Sequence, residues 1–279
     1  MSILVHKVGI NKTLGQKSDY LEGGSTIPRT DTTGWRNSLT GEWRADTGFG
    51  GIGSDIWDNQ IAGGNDLRAF NSMLCNSSST PSHLIFDGVD DYIWNTSTGY
   101  GGNPFTVDLS ADFTIGTWVR CNTGTAFTVC VQTGTSGGYL YSTISSLRWT
   151  VSDGTNQAQT SATAGQSMAA NTWHFLSMAH DRSGGYVNIY LDGKFADAFA
   201  PTYTGGSYNW DGAKNLGFGH HLHGNSSNIN LNSSLECAFI YVWNKYWGAS
   251  HHRHMFLGQY GDAGIHALNP HFGRQRTDT

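Results

Sequence analysis

The sequence predicts an all-β protein, built as a two-sheet antiparallel β-sandwich. Glutamate, which helices use often, occurs only at Glu22, Glu42 and Glu236. The 37 glycines are accompanied by 10 tryptophans, 12 tyrosines and 13 phenylalanines, which indicates tight turns around an apolar core rather than disorder. Strand-like runs also recur about every ten residues, separated by turns of Gly, Asn, Asp and Ser.

The composition along the chain predicts one domain with an extension at each end. Residues 1–34 are polar and Gly-rich without a period, which indicates an N-terminal arm. Residues 35–257 hold the apolar anchors and form the predicted domain, and the polar residues 258–279 form a C-terminal tail. Early in the domain, between 35 and 70, the anchors are spaced by Gly, Asp and Asn, which predicts irregular loops laid over a core.

Regular strand signals begin with LIFDG and DDYIWN. These runs predict a strand pair joined by an Asp-Gly turn, in which Phe86, Val89, Tyr92 and Ile93 pack against the core. Asp90 and Asp91 are then expected to accept hydrogen bonds from loop amides.

Eight further segments continue the pattern. DFTIGTWVRC alternates Phe113 and Ile115 with Thr114 and Gly116, which is typical of a strand. A helical turn or two is predicted in YWGASHHRHMFLGQY. The other predicted strands are AFTVCVQTG, GYLYSTI, SLRWTVSDG, TWHFLSMAHD, GYVNIYLDGKFADAF, NLGFG and LECAFIYVWNK.

Charge and hydropathy exclude several function classes. The formal charge of −5 provides no basic surface for nucleic acid or an anionic membrane. No stretch approaches the ~20 apolar residues of a membrane helix. The start, MSILVHKVGINKTLG, lacks the apolar run of a signal peptide, so we expect synthesis in a cytoplasm without secretion.

The four cysteines show no CxxC spacing, so a zinc ribbon is not predicted. Cys121 and Cys130 can face each other across a hairpin, but free buried thiols are the favoured interpretation.

Several segments together resemble a known family. GEWRADTGFG, DIWDNQIAGGNDLRAFN, LIFDGVDDYI, DFTIGTWVR, NTWHFLSMAHDRSGGYVNIYLDGK and LECAFIYVWNKYWGASHHRHMFLGQY occur in the order of the laminin-G-like, concanavalin-A-like jelly rolls of bacterial and phage proteins. The likeness covers about residues 40–260. It implies a concanavalin-A-like jelly-roll β-sandwich with two antiparallel sheets, one of them concave.

Glucanases share this fold, so glycoside hydrolysis is the enzymatic alternative. Those enzymes carry a Glu-x-Asp-x-Glu cluster, whereas no two glutamates of this chain lie within fifteen residues. Asp90 and Asp91 are adjacent, and neighbouring residues of a strand point to opposite faces. We therefore predict no catalytic residues, and glycoside hydrolysis is the remote alternative.

Two kinds of metal site are suggested by the sequence. The resemblance implies calcium in Asp/Asn-rich loops, with Asp87, Asp90, Asp91 and Asp211 as candidate ligands. The runs HHLH and HHRH suggest zinc, but neither has a nearby Cys or Glu. We therefore predict that the histidines of both runs lie on the surface and bind no metal. They are His220, His221, His223, His251, His252 and His254.

Carbohydrate binding is predicted from aromatic residues in polar turns, because sugars stack on indole and phenol rings. The predicted set is Trp94, Tyr100, Tyr203, Tyr208 and Trp210, with residues 202–212 as the main loop and Tyr139 as a further exposed aromatic. Trp118, Trp173 and Trp243 lie in apolar strands and are predicted core residues.

The functional hypothesis is a non-enzymatic structural or decoration protein of a phage virion, attached to capsid or tail. Its predicted location is the virion, because a lysing phage delivers such a fold outside the cell without a signal peptide. The arms would hold other virion proteins or copies of this chain, and host-surface glycans are the expected ligands. The alternative is a free carbohydrate-binding or adhesion module of a cellular protein, extracellular or at the cell surface.

Overall fold

Antiparallel strands make up most of the computed structural model, which describes residues 36–46, 49, 55–61, 64–79, 81–94, 106–121, 127–133, 136–143, 146–152, 157–159, 168–200, 213–219 and 233–256. The strands are β1 Leu39–Arg44, β2 Ile56–Trp57, β3 Leu67–Phe70, β4 Leu74–Asn76, β5 His83–Gly88, β6 Tyr92–Trp94, β7 Thr106–Asp108, β8 Phe113–Cys121, β9 Phe127–Thr133, β10 Ser136–Thr143, β11 Ser146–Ser152, β12 Gln157–Gln159, β13 Trp173–Asp181, β14 Tyr186–Leu191, β15 Lys194–Phe199, β16 Ala213–Phe218 and β17 Ser233–Trp243. A 3-10 turn, Arg36–Ser38, precedes β1, and the helix α1, Ala249–Phe256, follows β17.

The strands form two sheets, as predicted for a jelly-roll β-sandwich. In the described residues, the eight-stranded sheet has the order β15-β14-β13-β8-β17-β5-β4, and β1 also pairs with β17. The nine-stranded sheet has the order β12-β11-β10-β9-β16-β6-β3-β2, and β7 also pairs with β16. No helix among the described residues is long and apolar enough to cross a membrane.

The inward faces of the two sheets enclose one apolar core. Trp43 and Trp57 are completely buried in it, as are Leu84, Ile93 and Phe218. Side chains alternate across a strand, so the residues next to these inward positions point to the outer faces.

The outer face of the eight-stranded sheet carries a second apolar cluster, which α1 covers. Trp118 and Trp243, at 0% and 1% exposure, confirm the core prediction for these two residues. The Phe256 ring of α1 stacks on Trp118 with centroids 5.8 Å apart. Trp173 lies at the border of this cluster and is only partly buried, so its prediction as a core residue is corrected.

The predicted strand pair of LIFDGVDDYI is wrong in its pairing. β5 belongs to the eight-stranded sheet and β6 to the nine-stranded sheet, so the segment between them crosses from one sheet to the other. Phe86 and Ile93 are buried as predicted, whereas Val89 is 69% exposed at the crossing. Gly88 has a φ of 78°, which confirms the predicted Asp-Gly turn chemistry.

The region predicted as irregular loops contains the strands β1, β2 and β3. The loop after β2 is fastened by Asn59, whose Oδ1 accepts hydrogen bonds from the amides of Glu42 and Ile61 at 3.1 Å each. Its Nδ2 donates to the carbonyl oxygens of Thr40 at 3.4 Å and Asn65 at 3.3 Å. These strands are short and interrupted by Gly, Asp and Asn, which is why their pattern resembles loops.

The cysteine prediction is confirmed for two buried thiols. Cys121 and Cys237 are free and buried, and burial raises the pKa of each thiol to about 12. Cys121 ends β8 in one sheet and Cys130 lies on β9 in the other, so the two do not share a hairpin. The predicted arm 1–34 and tail 258–279 lie outside the described residues, and these boundaries remain predictions.

Candidate functional site

Three aromatic residues lie together on the outer face of the nine-stranded sheet. Phe70 of β3 and Tyr92 and Trp94 of β6 are each partly exposed, and Arg68 and Asp55 lie beside them. We call these five residues the aromatic patch. Of the five predicted carbohydrate-binding residues, Trp94 belongs to it, and Tyr100, Tyr203, Tyr208 and Trp210 lie outside the described residues.

The alternation of β3 and β6 places the aromatic patch on the outside. Ala69 and Ile93 point into the core between the sheets. Their neighbours Arg68, Tyr92 and Trp94 therefore point outward. The sequence predicts packing roles for Phe70 and Tyr92, although the runs LRAF and YIW have the alternation of strands with one open face, and in the structure both rings are partly exposed.

The aromatic patch is held by ring stacking and one ion pair. The rings of Phe70 and Tyr92 stack with centroids 4.5 Å apart and 7° between their planes. The Arg68 guanidinium lies 5.0 Å from the Phe70 ring centroid, and its Nε is 2.5 Å from Asp55 Oδ2. Burial raises the pKa of the Tyr92 phenol, although nearby Arg68 opposes this, so the hydroxyl stays protonated and can donate.

Trp94 occupies the position between β3 and β16. It pairs with Arg68 on one side and with Gly217 on the other. Because Gly217 has no side chain, β16 places no side chain beside the indole at this position. The combination of flat rings, a guanidinium and a phenol can pack on the C–H face of a sugar and bind its hydroxyls.

The three aspartates of the sheet crossing lie next to the aromatic patch. Asp87 Oδ1 accepts hydrogen bonds from the amides of Val89 at 2.7 Å and Asp90 at 3.2 Å, and Asp91 Oδ2 accepts one from the amide of Asp87 at 2.9 Å. The turn chemistry predicted for Asp87 and Asp91 is therefore confirmed. Asn71 Nδ2, one residue after β3, donates to the Asp90 carbonyl oxygen at 2.5 Å and so fastens this loop to the aromatic patch.

The same three carboxylates could also hold a cation. One oxygen of each of Asp87, Asp90 and Asp91 lies within 4.8 Å of the others. Calcium binds oxygens at about 2.3–2.6 Å, which is compatible with this separation. The hydrogen bond from Val89 lowers the pKa of Asp87, whereas burial and then the charges of Asp87 and Asp90 raise that of Asp91. Asp211 lies outside the described residues, and the calcium site stays a prediction.

Two histidine pairs that resemble catalytic dyads are occupied by structural hydrogen bonds. The amide of Ala169 donates to His174 Nε2 at 2.9 Å, so the ring hydrogen is on Nδ1 and is donated to Asp192 Oδ2 at 2.8 Å. His252 is fully buried and bonds Ser177 Oγ at 2.6 Å, which corrects its prediction as a surface histidine. His252 Nε2 lies 2.8 Å from the Trp247 carbonyl oxygen, so neither ring has a free nitrogen for general base catalysis.

The other histidines of the two runs give less information. His251 is half-buried, with its ring 4.3 Å from that of Trp247. The side chain of His254 is outside the described part of the structure, and so are His220, His221 and His223.

The two described glutamates are too far apart to form a glycosidase pair. Glu42 lies opposite Tyr241 in the β1–β17 register, five positions along β17 from Glu236. Five strand positions correspond to about 16 Å, whereas paired glycosidase carboxyls lie roughly 5–9.5 Å apart. These two residues therefore cannot perform that reaction together.

Comparisons with known proteins agree with the fold. Residues 94–231 match the family model Laminin_G_3, described as the Concanavalin A-like lectin/glucanases superfamily. No curated protein matches the chain. The binding domain of botulinum neurotoxin serotype D/C superposes with a TM-score of 0.57 at 14% identity, over 79% of this chain and 52% of that chain.

Two further similar structures are complexes of the binding domain of botulinum neurotoxin DC. The one with SialylT has a TM-score of 0.57 and the one with rat synaptotagmin II a TM-score of 0.56. Each is 14% identical and is matched over 79% of this chain and 51% of that chain. This chain thus spans about half the length of these structures, and at this identity the likeness concerns the fold alone.

Proposed function

We propose that this chain is a non-enzymatic carbohydrate-binding adhesion module, because residues 94–231 match the family model of the Concanavalin A-like lectin/glucanases superfamily. The aromatic patch is the observation that carries this proposal. It brings Trp94, predicted from the sequence as a sugar contact, together with a second and a third ring on one open sheet face.

The chemistry of the aromatic patch suits a sugar better than a reaction. Trp94 provides an apolar surface for the C–H face of a ring, and Tyr92 and Arg68 provide hydrogen-bond donors for hydroxyls. Asp55 provides an acceptor and balances the charge of Arg68. The structure solved of a neurotoxin DC binding domain with SialylT supports a glycan as a ligand of this kind of fold.

More specifically, the proposed adhesion module is part of a phage virion. A phage structural or decoration protein would display the sandwich to host-surface glycans and attach through its two predicted extensions to other virion proteins or to copies of itself. It would be made in the host cytoplasm and reside in the virion. The alternative remains a free adhesion module of a cellular protein, and no specific feature of the described residues favours it.

The carbohydrate proposal is tested on a glycan array that includes bacterial surface polysaccharides. Wild type is compared with Trp94→Ala and with Tyr186→Ala, an exposed aromatic of β14 outside the aromatic patch. We expect binding by wild type and Tyr186→Ala and at least a roughly tenfold loss of affinity in Trp94→Ala, corresponding to about 1.4 kcal/mol. Wild-type protein that binds no glycan would refute the proposal.

The virion proposal needs a separate measurement. Mass spectrometry of purified phage particles should detect this chain in many copies. Its absence from particles, with glycan binding intact, would favour the cellular adhesion module.

A further inference from the structure

We propose that the outer face of the eight-stranded sheet carries a second carbohydrate-binding site, specific for neutral sugars and built on Trp173, Arg120 and Glu236. The inference rests on the proposed function, because it extends sugar binding to the opposite face of the sandwich. Neither the sequence patterns nor the family match assigns a ligand-binding role to these residues.

The site is one straight row of residues, one from each of five neighbouring strands. Across β4, β5, β17, β8 and β13, the register pairs Leu74 with Ile85, Ile85 with Glu236, Glu236 with Arg120, and Arg120 with Trp173. We call these five residues the charged row. With strands about 4.8 Å apart, it extends about 19 Å across the sheet.

All members of the charged row point away from the core. Glu236 lies between Leu235 and Cys237, which point inward, and the same alternation applies to Arg120 and Ile85. The helix α1 covers the neighbouring part of this face but ends at Phe256, next to the row.

The row remains accessible at several points. Leu74 is 65% exposed at one end, and Ile85 and Trp173 are partly exposed. The Arg120 side chain is 32% exposed, whereas that of Glu236 is 11% exposed and lies deeper. A ligand on this surface would therefore meet an indole, a guanidinium and the edge of a carboxylate, with apolar surface beyond them.

Trp173 is held in place by two neighbours. The Arg120 guanidinium carbon lies 5.2 Å from the indole centroid, a cation–π contact. The His83 ring approaches at 5.5 Å, with 62° between the ring planes. An indole fixed in this way loses little conformational entropy when a sugar ring stacks on it.

The polar centre of the row combines a donor and an acceptor. Arg120 Nη2 forms an ion pair with Glu236 Oε2, and His83 Nε2 lies 3.5 Å from the same oxygen. The Pro81 carbonyl oxygen, 2.8 Å from His83 Nδ1, can only accept, so Nδ1 carries a hydrogen. Arg120 thus anchors Glu236 by charge, on neighbouring strands whose register fixes both positions.

This pairing selects the class of sugar. Because the charges of Arg120 and Glu236 cancel, the site attracts neither anions nor cations strongly. A vicinal pair of hydroxyls can accept from the guanidinium and donate to the carboxylate at the same time. Neutral sugars provide such pairs, whereas the carboxylate of an acidic sugar gains no net attraction from the neutralised pair of Arg120 and Glu236.

The test uses four variants of the full chain on an array of neutral and acidic oligosaccharides, followed by calorimetric titration with the neutral oligosaccharides that bind. Trp173→Ala removes the stacking surface, and Arg120→Lys keeps the charge but loses the planar fork. Trp94→Ala removes the indole of the aromatic patch, and Tyr186→Ala is the control. Melting temperatures identify any variant that is unfolded, and Arg120→Lys is the milder substitution if Trp173→Ala does not fold.

We expect neutral-glycan binding to persist in Tyr186→Ala and to fall at least tenfold in Trp173→Ala and Arg120→Lys, whereas Trp94→Ala weakens binding of the ligands of the aromatic patch. Full loss in Trp94→Ala with unchanged binding in Trp173→Ala would overturn the second site and leave the proposed function standing. Loss confined to Trp173→Ala would support the second site and contradict the assignment of the aromatic patch. Wild-type protein that binds no oligosaccharide would overturn both.

Discussion

Ser177 of β13 donates its hydroxyl hydrogen to Nδ1 of His252 in α1 across 2.6 Å, and both side chains are fully buried. The other ring nitrogen, Nε2, lies 2.8 Å from the carbonyl oxygen of Trp247, which can only accept, so Nε2 carries the hydrogen. Tyr190 stacks on the ring with centroids 3.7 Å apart. The neutral imidazole therefore fastens the helix to the sheet rather than acting as a base.

The first prediction is that acid weakens the fold through His252. Burial lowers the pKa of this histidine to about 3, whereas the unfolded chain titrates near 6.5. The neutral form is favoured in the folded state, so its contribution is complete above pH 6.5 and is lost as the pH falls from 6.5 toward 3. The free energy of unfolding should fall by up to about 1.4 kcal/mol per pH unit in this window.

Urea unfolding at several pH values between 7 and 4 measures this slope. His252→Gln should be less stable at pH 7 but should lose less stability on acidification. His180, whose pKa is also lowered by burial, remains in both proteins and leaves a common residual slope. If the free energy of unfolding changed equally with pH in wild type and in His252→Gln, the pH dependence would not arise from His252.

A second prediction concerns Gly193, in the turn between β14 and β15. A Cβ at this position would lie 2.8 Å from the Arg253 Cα and 2.9 Å from the Phe256 Cβ, so the turn touches the backbone of α1. Gly185 has nearly the same backbone angle, a φ of +73° against +72°, but nothing lies within 4 Å of its Cβ position. Comparing an alanine substitution at each glycine therefore distinguishes the cost of backbone strain from the cost of contact with α1.

Gly185→Ala should cost about 1 kcal/mol, the cost of a left-handed backbone for alanine. Gly193→Ala should cost at least about 2 kcal/mol, because α1 must also shift. Denaturant midpoints of the two variants provide the comparison. Equal losses of stability would show that the helix yields freely at this turn.

The sequence predicts features whose chemistry lies within a few residues, but not those that depend on distant strands. The turn at Asp87 and Gly88 is predictable because the amides that it binds follow directly in the chain. The sheet to which each flanking strand belongs is set instead by pairing with β17 for β5 and with β3 and β16 for β6. Local alternation holds no information about those partners.

The two candidate sites show the same limit. The polar surroundings of Trp94 predict its role, but the Phe70 ring joins this face only when β3 pairs with β6. Trp173 lies in an apolar strand typical of a core, but it is partly exposed at the border of the apolar cluster under α1, a position that the strand's own pattern does not indicate. In the sequence Glu236 is an isolated glutamate, because its partner Arg120 lies on another strand.

A third prediction concerns Asp91, which is 7% exposed and has an Oδ1 without a hydrogen-bond donor among the described residues. Its pKa is raised by burial and by nearby carboxylates, so the folded state binds this proton more readily than the unfolded chain does. The charged form thus destabilises the fold at neutral pH, and acidification through the raised pKa relieves it. Asp91→Asn should stabilise the calcium-free protein by about 1 kcal/mol, because it keeps an acceptor for the Asp87 amide.

Bound calcium should stabilise the charged form of Asp91, so with calcium present the wild type should gain stability and Asp91→Asn should not. Added calcium should raise the melting temperature of wild type, and a chelator should reverse this, whereas Asp91→Asn should not respond. Asp108→Asn is the control, since Asp108 Oδ1 accepts from the Ser110 amide at 2.8 Å in a turn of the same kind elsewhere. A wild-type melting temperature that ignores calcium would refute the calcium prediction while leaving the pH prediction intact.

The last prediction concerns Asn59, whose side chain makes four hydrogen bonds to backbone groups of β1 and of its own loop. Asn59→Ala should cost about 2–4 kcal/mol, since each such bond contributes roughly 0.5–1.5 kcal/mol and the amides left behind are partly buried. Asn59→Asp keeps both acceptor interactions but loses two donors, and it adds a charge near Asp66, whose Oδ1 accepts from the Asn59 amide at 2.8 Å. At pH 7, Asn59→Asp should lose about as much stability as Asn59→Ala. At pH 4 its loss should be smaller.

Gln60→Ala is the matched control, because Gln60 is exposed and its side chain bonds only the neighbouring Asp58 carbonyl oxygen among the described residues. Thermal unfolding of Asn59→Ala, Asn59→Asp and Gln60→Ala measures how much stability the Asn59 side chain contributes. Equal stability of Asn59→Ala and Gln60→Ala would mean that water replaces all four hydrogen bonds without cost. A large difference would identify this side chain as the link that sets the path from β1 to β3, and hence the position of Arg68 in the aromatic patch.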